Sequence, residues 1–327
     1  MPRVLVTQPE FGKALEVFQS ASRLDCRPAP AAEDELAAAI RSTGARHVVV
    51  GGRPYRGALY GALGPGGVIA RFGVGHDGID KAQAAARGLL CTNTPDVLTQ
   101  SVAEHAMLLV MAAARRLPAL ARSIDTGIWT QPVGMELAGK TLAIVGCGRI
   151  GRATARIARH GFGMRIVGFA RTRAGAEASR DPDFDTVTDD FGAAVRDAHF
   201  VSVHIPASEE NVRAINPERL ALCRPDAWLV NTARGAVVDE VALFDALAAG
   251  RLAGAALDVC THEPYRPVDP ARDLRTLPNV IRTPHVGSHT TEANRAMATR
   301  ALHNIRLAEE GRLAEMDLLS NPGAACV

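Results

Sequence analysis

The chain has 327 residues, of which 47% are hydrophobic and 22% are charged, and its formal net charge is +2. This length is sufficient for two domains, each with a core of its own. Because the net charge is near neutral and no run of Lys or Arg occurs, the composition argues against binding to nucleic acid or to an anionic membrane. We therefore expect a small molecule as the partner.

The six cysteines are scattered along the chain, without a CxxC pair or the His spacing of a zinc site. We therefore expect neither a disulfide framework nor a metal site. The N-terminus enters a strand directly, without the pattern of a signal peptide, and no apolar stretch is long enough to span a bilayer. These features predict a cytoplasmic protein.

Strands and helices alternate in the first third of the chain, which predicts a parallel sheet covered on both faces. The predicted elements are strands at 4–7, 47–51 and 68–72 and helices at 11–19 and 33–41. The loop after the third strand lies where open α/β sheets bind ligands. Its backbone N–H groups around Val74 and Gly75 are candidates for binding an anion such as a carboxylate. Arg53 and Tyr55 follow the strand at 47–51 and either contact the distal end of a substrate or belong to a solvated loop.

A strongly helical and largely apolar pattern at 101–122 predicts a buried helix and a domain boundary. Six strands are predicted beyond this boundary, at 142–145, 165–169, 200–203, 227–231, 255–258 and 280–282. A last helix at 292–310 returns to the first domain. We therefore predict a doubly wound dinucleotide-binding domain at 100–290 and a smaller, discontinuous substrate-binding domain at 1–99 and 291–327.

The segment from Leu142 to Arg171 is organised as strand, glycine turn, helix and strand. Its turn, Gly146-Cys147-Gly148-Arg149-Ile150-Gly151, has the spacing of a dinucleotide-binding fingerprint. The first glycine makes a tight turn, the second lets a pyrophosphate approach the backbone, and the third lets helix and strand pack closely. The pyrophosphate would lie at the helix N-terminus, where unpaired N–H groups and the helix dipole favour an anion.

Three later strands end in polar side chains on the side where the cofactor is expected: Arg234, Glu263 and His285. An arginine can hold a carboxylate bidentately, a histidine can transfer a proton near neutral pH, and a glutamate can orient that histidine. Each residue alone is also compatible with a surface or loop position. Together, and after a dinucleotide fingerprint, they favour reduction of a 2-oxo acid. The other candidate cofactor contacts, besides the glycine turn, are Arg171, His204, Pro206, Thr232, Ala233, Arg234, Asp258, His285 and Gly287.

Six motifs occur in order along the chain: RFGVG at 71–75, SVAEH at 101–105, the glycine turn, NTARG at 231–235 with VDE at 238–240, DV to EP at 258–264, and PHVG at 284–287. With them the chain resembles the D-isomer-specific 2-hydroxyacid dehydrogenases, which include phosphoglycerate, glyoxylate/hydroxypyruvate and D-lactate dehydrogenases. The resemblance implies a Rossmann nucleotide domain, a flavodoxin-like substrate domain and a homodimer formed through the nucleotide domains. It further implies Arg234 as substrate anchor, His285 as acid and base, and Glu263 as its partner.

Two positions depart from the family pattern. Cys260 replaces the family's phenylalanine, which we expect to affect packing only. An NAD-selective site has a carboxylate at the end of the second strand, where it accepts hydrogen bonds from the ribose and repels a 2′-phosphate. Ala170-Arg171-Thr172-Arg173 occupies that place. We therefore predict that NADP(H) is favoured, with NAD(H) as the alternative.

The predicted activity is hydride transfer between a nicotinamide cofactor and a 2-oxo acid/D-2-hydroxy acid pair, with glyoxylate-like and hydroxypyruvate-like substrates favoured. One alternative is a nucleotide-sensing binding protein of the corepressor type, and another is a 3-phosphoglycerate dehydrogenase. Corepressors carry long disordered tails, and many phosphoglycerate dehydrogenases carry an added regulatory domain. We expect neither in this chain, which favours the reductase.

Overall fold

The computed structural model describes residues 1–171 and 177–319, which form two compact units. Unit 1 contains Met1–Leu98 and the segment that begins at His289, and unit 2 is Thr99–Ser288. Each unit is a parallel sheet with helices packed on it, as the sequence predicted. Within the described residues, no helix is long and apolar enough to cross a membrane.

The described part of unit 1 contains a five-stranded sheet in the order β2-β1-β3-β4-β5, with all pairs parallel. The strands are β1 (Arg3–Thr7), β2 (Asp25–Ala29), β3 (His47–Val50), β4 (Val68–Arg71) and β5 (Leu90–Thr92). The helices between them are α1 (Gln8–Lys13), α2 (Leu15–Gln19), α3 (Glu33–Thr43), α4 (Ala58–Ala62) and α5 (Lys81–Ala86). This strand order is the flavodoxin-like one.

Unit 1 differs from the sequence prediction in several elements, since β2, β5, α4 and α5 were not predicted and one predicted helix is divided. The helix predicted at 11–19 is two short helices, because the backbone of Ala14 leaves helical geometry with φ −141° and ψ 44°. Strand β2 was missed because it is an edge strand in which Ala29 is the only fully buried residue. An edge strand that is mostly exposed shows no apolar run in the sequence.

The described part of unit 2 contains a seven-stranded parallel sheet in the order β12-β11-β10-β9-β6-β7-β8. The strands are β6 (Thr141–Val145), β7 (Arg165–Phe169), β8 (Thr186–Thr188), β9 (Phe200–Val203), β10 (Trp228–Asn231), β11 (Gly254–Leu257) and β12 (Val280–Arg282). Its helices are α6 (Thr99–Ala114), α7 (Leu117–Asp125), α8 (Arg149–Phe162), α9 (Phe191–Val195), α10 (Pro217–Leu220) and α11 (Glu240–Ala248). The prediction of six strands was wrong by one, because β8 is a three-residue edge strand without a buried residue.

The strand order of unit 2 reverses between β6 and β9, so that the chain runs outward from β6 through β7 to β8 and then crosses to β9. In open α/β sheets such a switch point opens a crevice at the carboxyl ends of the strands, where ligands bind. The glycine turn follows β6 and His204 follows β9. The topology therefore places both segments at this crevice.

The helix predicted at 101–122 is interrupted at Arg116, which has a left-handed backbone with φ 53°. The first part, α6, buries nine residues and packs against α8. The second part, α7, has no buried residue. The predicted burial therefore holds for α6 and is wrong for α7.

The last helix, α12 (Thr291–Glu309), packs in unit 1 against β4. Its C-terminal end is held by His47 of β3, which is fully buried. The Nδ1 of His47 accepts a hydrogen bond from the Val68 amide at 3.1 Å, so the ring proton is on Nε2, which donates to Glu309 at 3.0 Å. This neutral imidazole links the helix end to the sheet.

Candidate functional site

The glycine turn after β6 has the backbone geometry that its spacing predicted. Gly146 has φ +102°, and a Cβ there would lie 2.8 Å from the His204 carbonyl. A Cβ on Gly151 would lie 2.2 Å from the Gly146 oxygen and 2.9 Å from Cγ2 of Ile144. At Gly148, by contrast, no described atom comes within 4 Å of such a Cβ. The tight turn and the close helix packing are thus present, while the approach of a pyrophosphate to Gly148 stays a prediction.

Two observations show that the crevice of unit 2 fits a nicotinamide dinucleotide. In the described part of the chain no side chain caps the N-terminus of α8, where Gly148 and Arg149 are exposed and Ile150 is half-buried. The amides there suit a pyrophosphate. The hydroxyl of Thr232, directly after β10, is buried without a hydrogen-bond partner among the described residues. A bound ligand would satisfy that hydroxyl, because buried polar groups are nearly always hydrogen-bonded.

His204 faces the crevice with its backbone rather than its side chain. Its Nε2 lies 2.8 Å from the Ser202 hydroxyl, and its carbonyl packs against Gly146. Burial lowers the pKa of His204 to about 4, so the imidazole is neutral at neutral pH. A cofactor contact of His204 would therefore use the backbone, and Pro206 is exposed two residues further on.

Arg234 is positioned by a turn that the buried side chain of Asn231 holds. The Asn231 amide donates to the Arg234 carbonyl at 2.9 Å, and its oxygen accepts from the Ala233 amide at 3.0 Å. The guanidinium of Arg234 is half-buried, and its Nη1 donates to the Ala233 carbonyl at 2.8 Å. The sequence contained the signal for this turn, since asparagine at a strand end commonly bonds to the backbone that follows.

The structure brings Glu263 and His285 together. The Nδ1 of His285 lies 2.7 Å from Oε2 of Glu263, and both side chains are about two-fifths exposed, at 39% and 42%. Because a carboxylate only accepts, Nδ1 carries the proton and donates it, which leaves Nε2 as the nitrogen that exchanges a proton with another molecule. The other oxygen of Glu263 accepts from the Cys260 amide at 3.2 Å.

Asp258 holds the loop that carries His285. Its carboxylate is 2% exposed and accepts from the Val286 and Gly287 amides at 2.9 and 2.8 Å. Thr283 donates to the same carboxylate at 2.5 Å, and His105 of α6 lies 3.2 Å from it. Burial alone would raise the pKa of Asp258, but these hydrogen bonds lower it to about 2.

The backbone of His285 is held at the same place. Its amide donates to the Asp258 carbonyl at 2.8 Å, and its φ of 54° is unusual for a residue with a side chain. Asp258 therefore holds the loop through both its main-chain carbonyl and its side-chain carboxylate. The sequence had suggested Asp258 and Gly287 as cofactor contacts. The structure shows that Asp258 anchors the loop, whereas a contact of either residue with the cofactor stays a prediction.

The candidates in unit 1 lie near the carboxyl ends of its strands. Val74 and Gly75 follow β4, and the Val74 carbonyl accepts from the Asn93 side chain at 2.8 Å. Arg53 is exposed, and its contact with a substrate stays a prediction. The suggestion that Tyr55 faces a cleft was wrong, because the residue is 1% exposed and belongs to the core of unit 1.

Comparison with known proteins places this geometry in a family. A family model described as D-isomer specific 2-hydroxyacid dehydrogenase, NAD binding domain, matches residues 107–287. A glyoxylate reductase from Pyrococcus furiosus is 41% identical over 256 residues, covering 75% of this chain and 74% of that protein. A D-3-phosphoglycerate dehydrogenase from Methanocaldococcus jannaschii is 36% identical over 317 residues, covering 96% of this chain and 59% of that protein.

A similar solved structure is an NADPH-dependent glyoxylate/hydroxypyruvate reductase from Sinorhizobium meliloti in complex with NADP and malonate. It is 31% identical, has a TM-score of 0.78, and the match covers 94% of this chain and 93% of that one. The resemblance inferred from the motifs is thereby confirmed. The chain belongs to the D-isomer specific 2-hydroxyacid dehydrogenase family and is an oxidoreductase of 2-oxo acid/2-hydroxy acid pairs.

Proposed function

We propose that this protein reduces glyoxylate and hydroxypyruvate to the corresponding 2-hydroxy acids, with NADPH as the preferred reductant. The observation that carries the proposal is the 2.7 Å contact between His285 and Glu263 in the unit that matches the NAD-binding family model. The glyoxylate reductase and glyoxylate/hydroxypyruvate reductase activities of the relatives support the choice of substrates.

The acid–base step belongs to His285. When bound, the nicotinamide supplies the hydride that reduces the substrate carbonyl carbon. The Nε2 of a protonated His285 donates to the carbonyl oxygen as that oxygen gains negative charge, and Glu263 stabilises the imidazolium before the transfer. The imidazole is neutral after reduction and recovers its proton from solvent, to which it is partly exposed.

Arg234 binds the substrate carboxylate in this scheme. Its guanidinium presents a planar pair of donors that matches a carboxylate, and the turn held by Asn231 fixes its backbone. Within unit 1, the amides around Val74 and Gly75 are the candidates for binding a carboxylate, since two glycines flank Val74 and leave the backbone open to an anion.

The preference for NADPH rests on the end of β7. Ala170 and Arg171 follow this strand, so the carboxylate of an NAD-selective site is missing. Arg171 is exposed, with its Nη2 3.4 Å from Oδ1 of Asn211. The neighbouring Arg219, whose guanidinium lies 4.9 Å from the centre of the Phe191 ring, was not recognised from the sequence. Burial and the nearby charge of Arg171 lower the pKa of Arg219, so two cations lie close together here.

The neighbouring Thr172 and Arg173, also suggested from the sequence, lie outside the described residues. The NADPH dependence of the Sinorhizobium relative supports the same choice of cofactor.

A panel of substrates and cofactors tests the proposal. The absorbance of the reduced nicotinamide is followed with glyoxylate, hydroxypyruvate, pyruvate, phenylpyruvate and 3-phosphohydroxypyruvate, each with NADPH and with NADH. We expect the highest kcat/KM for glyoxylate or hydroxypyruvate with NADPH. A clear preference for 3-phosphohydroxypyruvate would instead identify a phosphoglycerate dehydrogenase.

We further propose that the protein is a homodimer formed through unit 2 and acts in the cytoplasm. Large apolar side chains of α7 and the segment after it are exposed, at 53–87%: Leu117, Ile124, Ile128, Trp129 and Val133. A second copy would cover such a surface. The five described cysteines are free thiols, as in a reducing compartment. Light scattering after size exclusion should give twice the chain mass, and Ile124→Asp should give the monomer.

A further inference from the structure

Glu240 is a buried carboxylate to which the mechanism above assigns no role. It is the first residue of α11 and is 8% exposed. Its Oε2 accepts a hydrogen bond from the Thr261 amide at 3.3 Å. Its Oε1 is buried and has no hydrogen-bond partner within the described residues. Because burying a carboxylate is costly, its presence at this place calls for a physical reason.

The Thr261 amide belongs to the loop that carries Glu263. Two consecutive amides of this loop donate to two different carboxylates: that of Cys260 to Glu263 at 3.2 Å, and that of Thr261 to Glu240 at 3.3 Å. The Cys260 amide belongs to the 259–260 peptide and the Thr261 amide to the 260–261 peptide, so the two bonds are coupled through the backbone of Cys260, where the two planes meet. If Glu240 releases Thr261, the 260–261 plane is free to turn, the backbone at Cys260 shifts with it, and the Cys260 amide no longer supports Glu263.

The same 260–261 peptide also packs closely on Gly235. A Cβ on Gly235 would lie 2.0 Å from the Cys260 carbonyl carbon and 2.3 Å from the Thr261 nitrogen. Gly235 directly follows Arg234, the proposed substrate anchor. The 260–261 peptide therefore contacts both the Arg234 segment and the carboxylate of Glu240.

We propose that Glu240 is a positioning residue for the acid–base pair, resting on the proposed function of Glu263 and His285. By binding the Thr261 amide it holds the 260–261 peptide against Gly235. With that peptide fixed, the backbone of Cys260 keeps its own amide on Glu263, at the distance from which Glu263 orients His285. Glu240 contacts neither substrate nor cofactor in this account and acts through Glu263.

The test compares Glu240→Ala with Glu240→Gln and with a control on the same helix. Glutamine keeps the acceptor oxygen and the length of the side chain, so it should restore most of the activity that alanine loses. For Glu240→Ala we expect kcat to fall about tenfold to a hundredfold, the loss typical of an ångström-scale misplacement, with KM for NADPH unchanged. Asp245→Asn removes the same charge from a half-exposed position paired with Arg272, and should keep wild-type kcat.

A double variant shows whether Glu240 acts through Glu263. If it does, Glu240→Ala/Glu263→Gln should be no slower than Glu263→Gln alone, because the group being positioned is already disabled. Independent, multiplying losses would overturn the proposal, as would a kcat of Glu240→Ala within twofold of wild type. If Glu240→Ala does not fold, Glu240→Asp, whose shorter side chain cannot reach Thr261 unchanged, should lower kcat more than Glu240→Gln, and the reverse order would overturn it.

The same measurements separate the inference from the function on which it rests. Normal activity of Glu263→Gln would contradict the proposed role of the acid–base pair itself. An impaired Glu263→Gln beside a fully active Glu240→Ala would contradict only the positioning role of Glu240.

Discussion

The substitution Gly235→Ala tests how closely the substrate anchor and the acid–base loop must approach each other. The new Cβ would lie 2.0 Å from the Cys260 carbonyl carbon, whereas ordinary contact begins at about 3.4 Å. The two segments must therefore separate by about 1.4 Å. The contact between Glu263 and His285 is 2.7 Å long, and a shift of this size transmitted to Glu263 breaks it.

We expect Gly235→Ala to lower kcat about a hundredfold, since a misplacement near 1 Å can have that effect. Overpacking should also lower the free energy of unfolding by about 1–3 kcal/mol. The assay is NADPH consumption with glyoxylate, combined with urea unfolding of the same preparation. Gly161→Ala is the matched control: it lies in α8 with no described atom within 4 Å of a Cβ, so kcat should be unchanged. A folded Gly235→Ala variant with kcat within threefold of wild type would show that this close approach is not needed for catalysis.

Four further outcomes follow from the structure. His285→Ala should lower turnover about a hundredfold or more, because reduction loses its proton donor; unchanged turnover would exclude that role. Arg234→Lys keeps the charge but loses the planar fork, so most of kcat/KM for glyoxylate should be lost. Ala170→Asp should reverse the cofactor preference, so that kcat/KM becomes higher with NADH than with NADPH, and Arg171→Ala should weaken the preference for NADPH. An unchanged ratio of the two kcat/KM values in both variants contradicts the proposed NADPH site. Hydrogen bonds lower the pKa of Asp258 from 3.8 to about 2, so ionisation of this carboxyl adds about 2 kcal/mol to the free energy of unfolding above pH 4. This contribution is lost as the pH falls toward 2. In urea unfolding, the difference in stability between wild type and Asp258→Asn should therefore become smaller over this interval.

The central strands of both sheets could be predicted from the sequence because they are apolar runs between turn residues. All five residues of β6 are buried, for example, and the glycine turn marks its end. Strands β2 and β8 could not be predicted, since these two edge strands are mostly exposed and carry no apolar pattern. Strand β5 was also missed: its residues are buried, but three residues are too few to show a pattern. The break at Arg116 had a sequence signal that the prediction missed: Pro118, two residues further on, is tolerated only in the first turn of a helix and lies in the first turn of α7.

The site was predictable where its chemistry depends on residue type and motif. Glu263 and His285 are such residues, and the structure places them in contact. The residues that hold them were missed, since their roles arise from contacts between loops that follow different strands. Gly235 lies in a motif, but only the fold shows that it packs on Cys260, and only the fold brings Glu240 to Thr261.

The central claim is that His285, supported by Glu263, transfers the proton in the reduction of a 2-oxo acid. The pH dependence of kcat/KM for glyoxylate reduction with NADPH tests it most directly, measured for wild type and Glu263→Gln. Loss of the carboxylate destabilises the imidazolium, so the protonated donor disappears at lower pH. We expect the alkaline limb of the Glu263→Gln profile to move to lower pH. An unmoved limb, or a wild-type protein that oxidises neither NADPH nor NADH with any of the five 2-oxo acids, would contradict it.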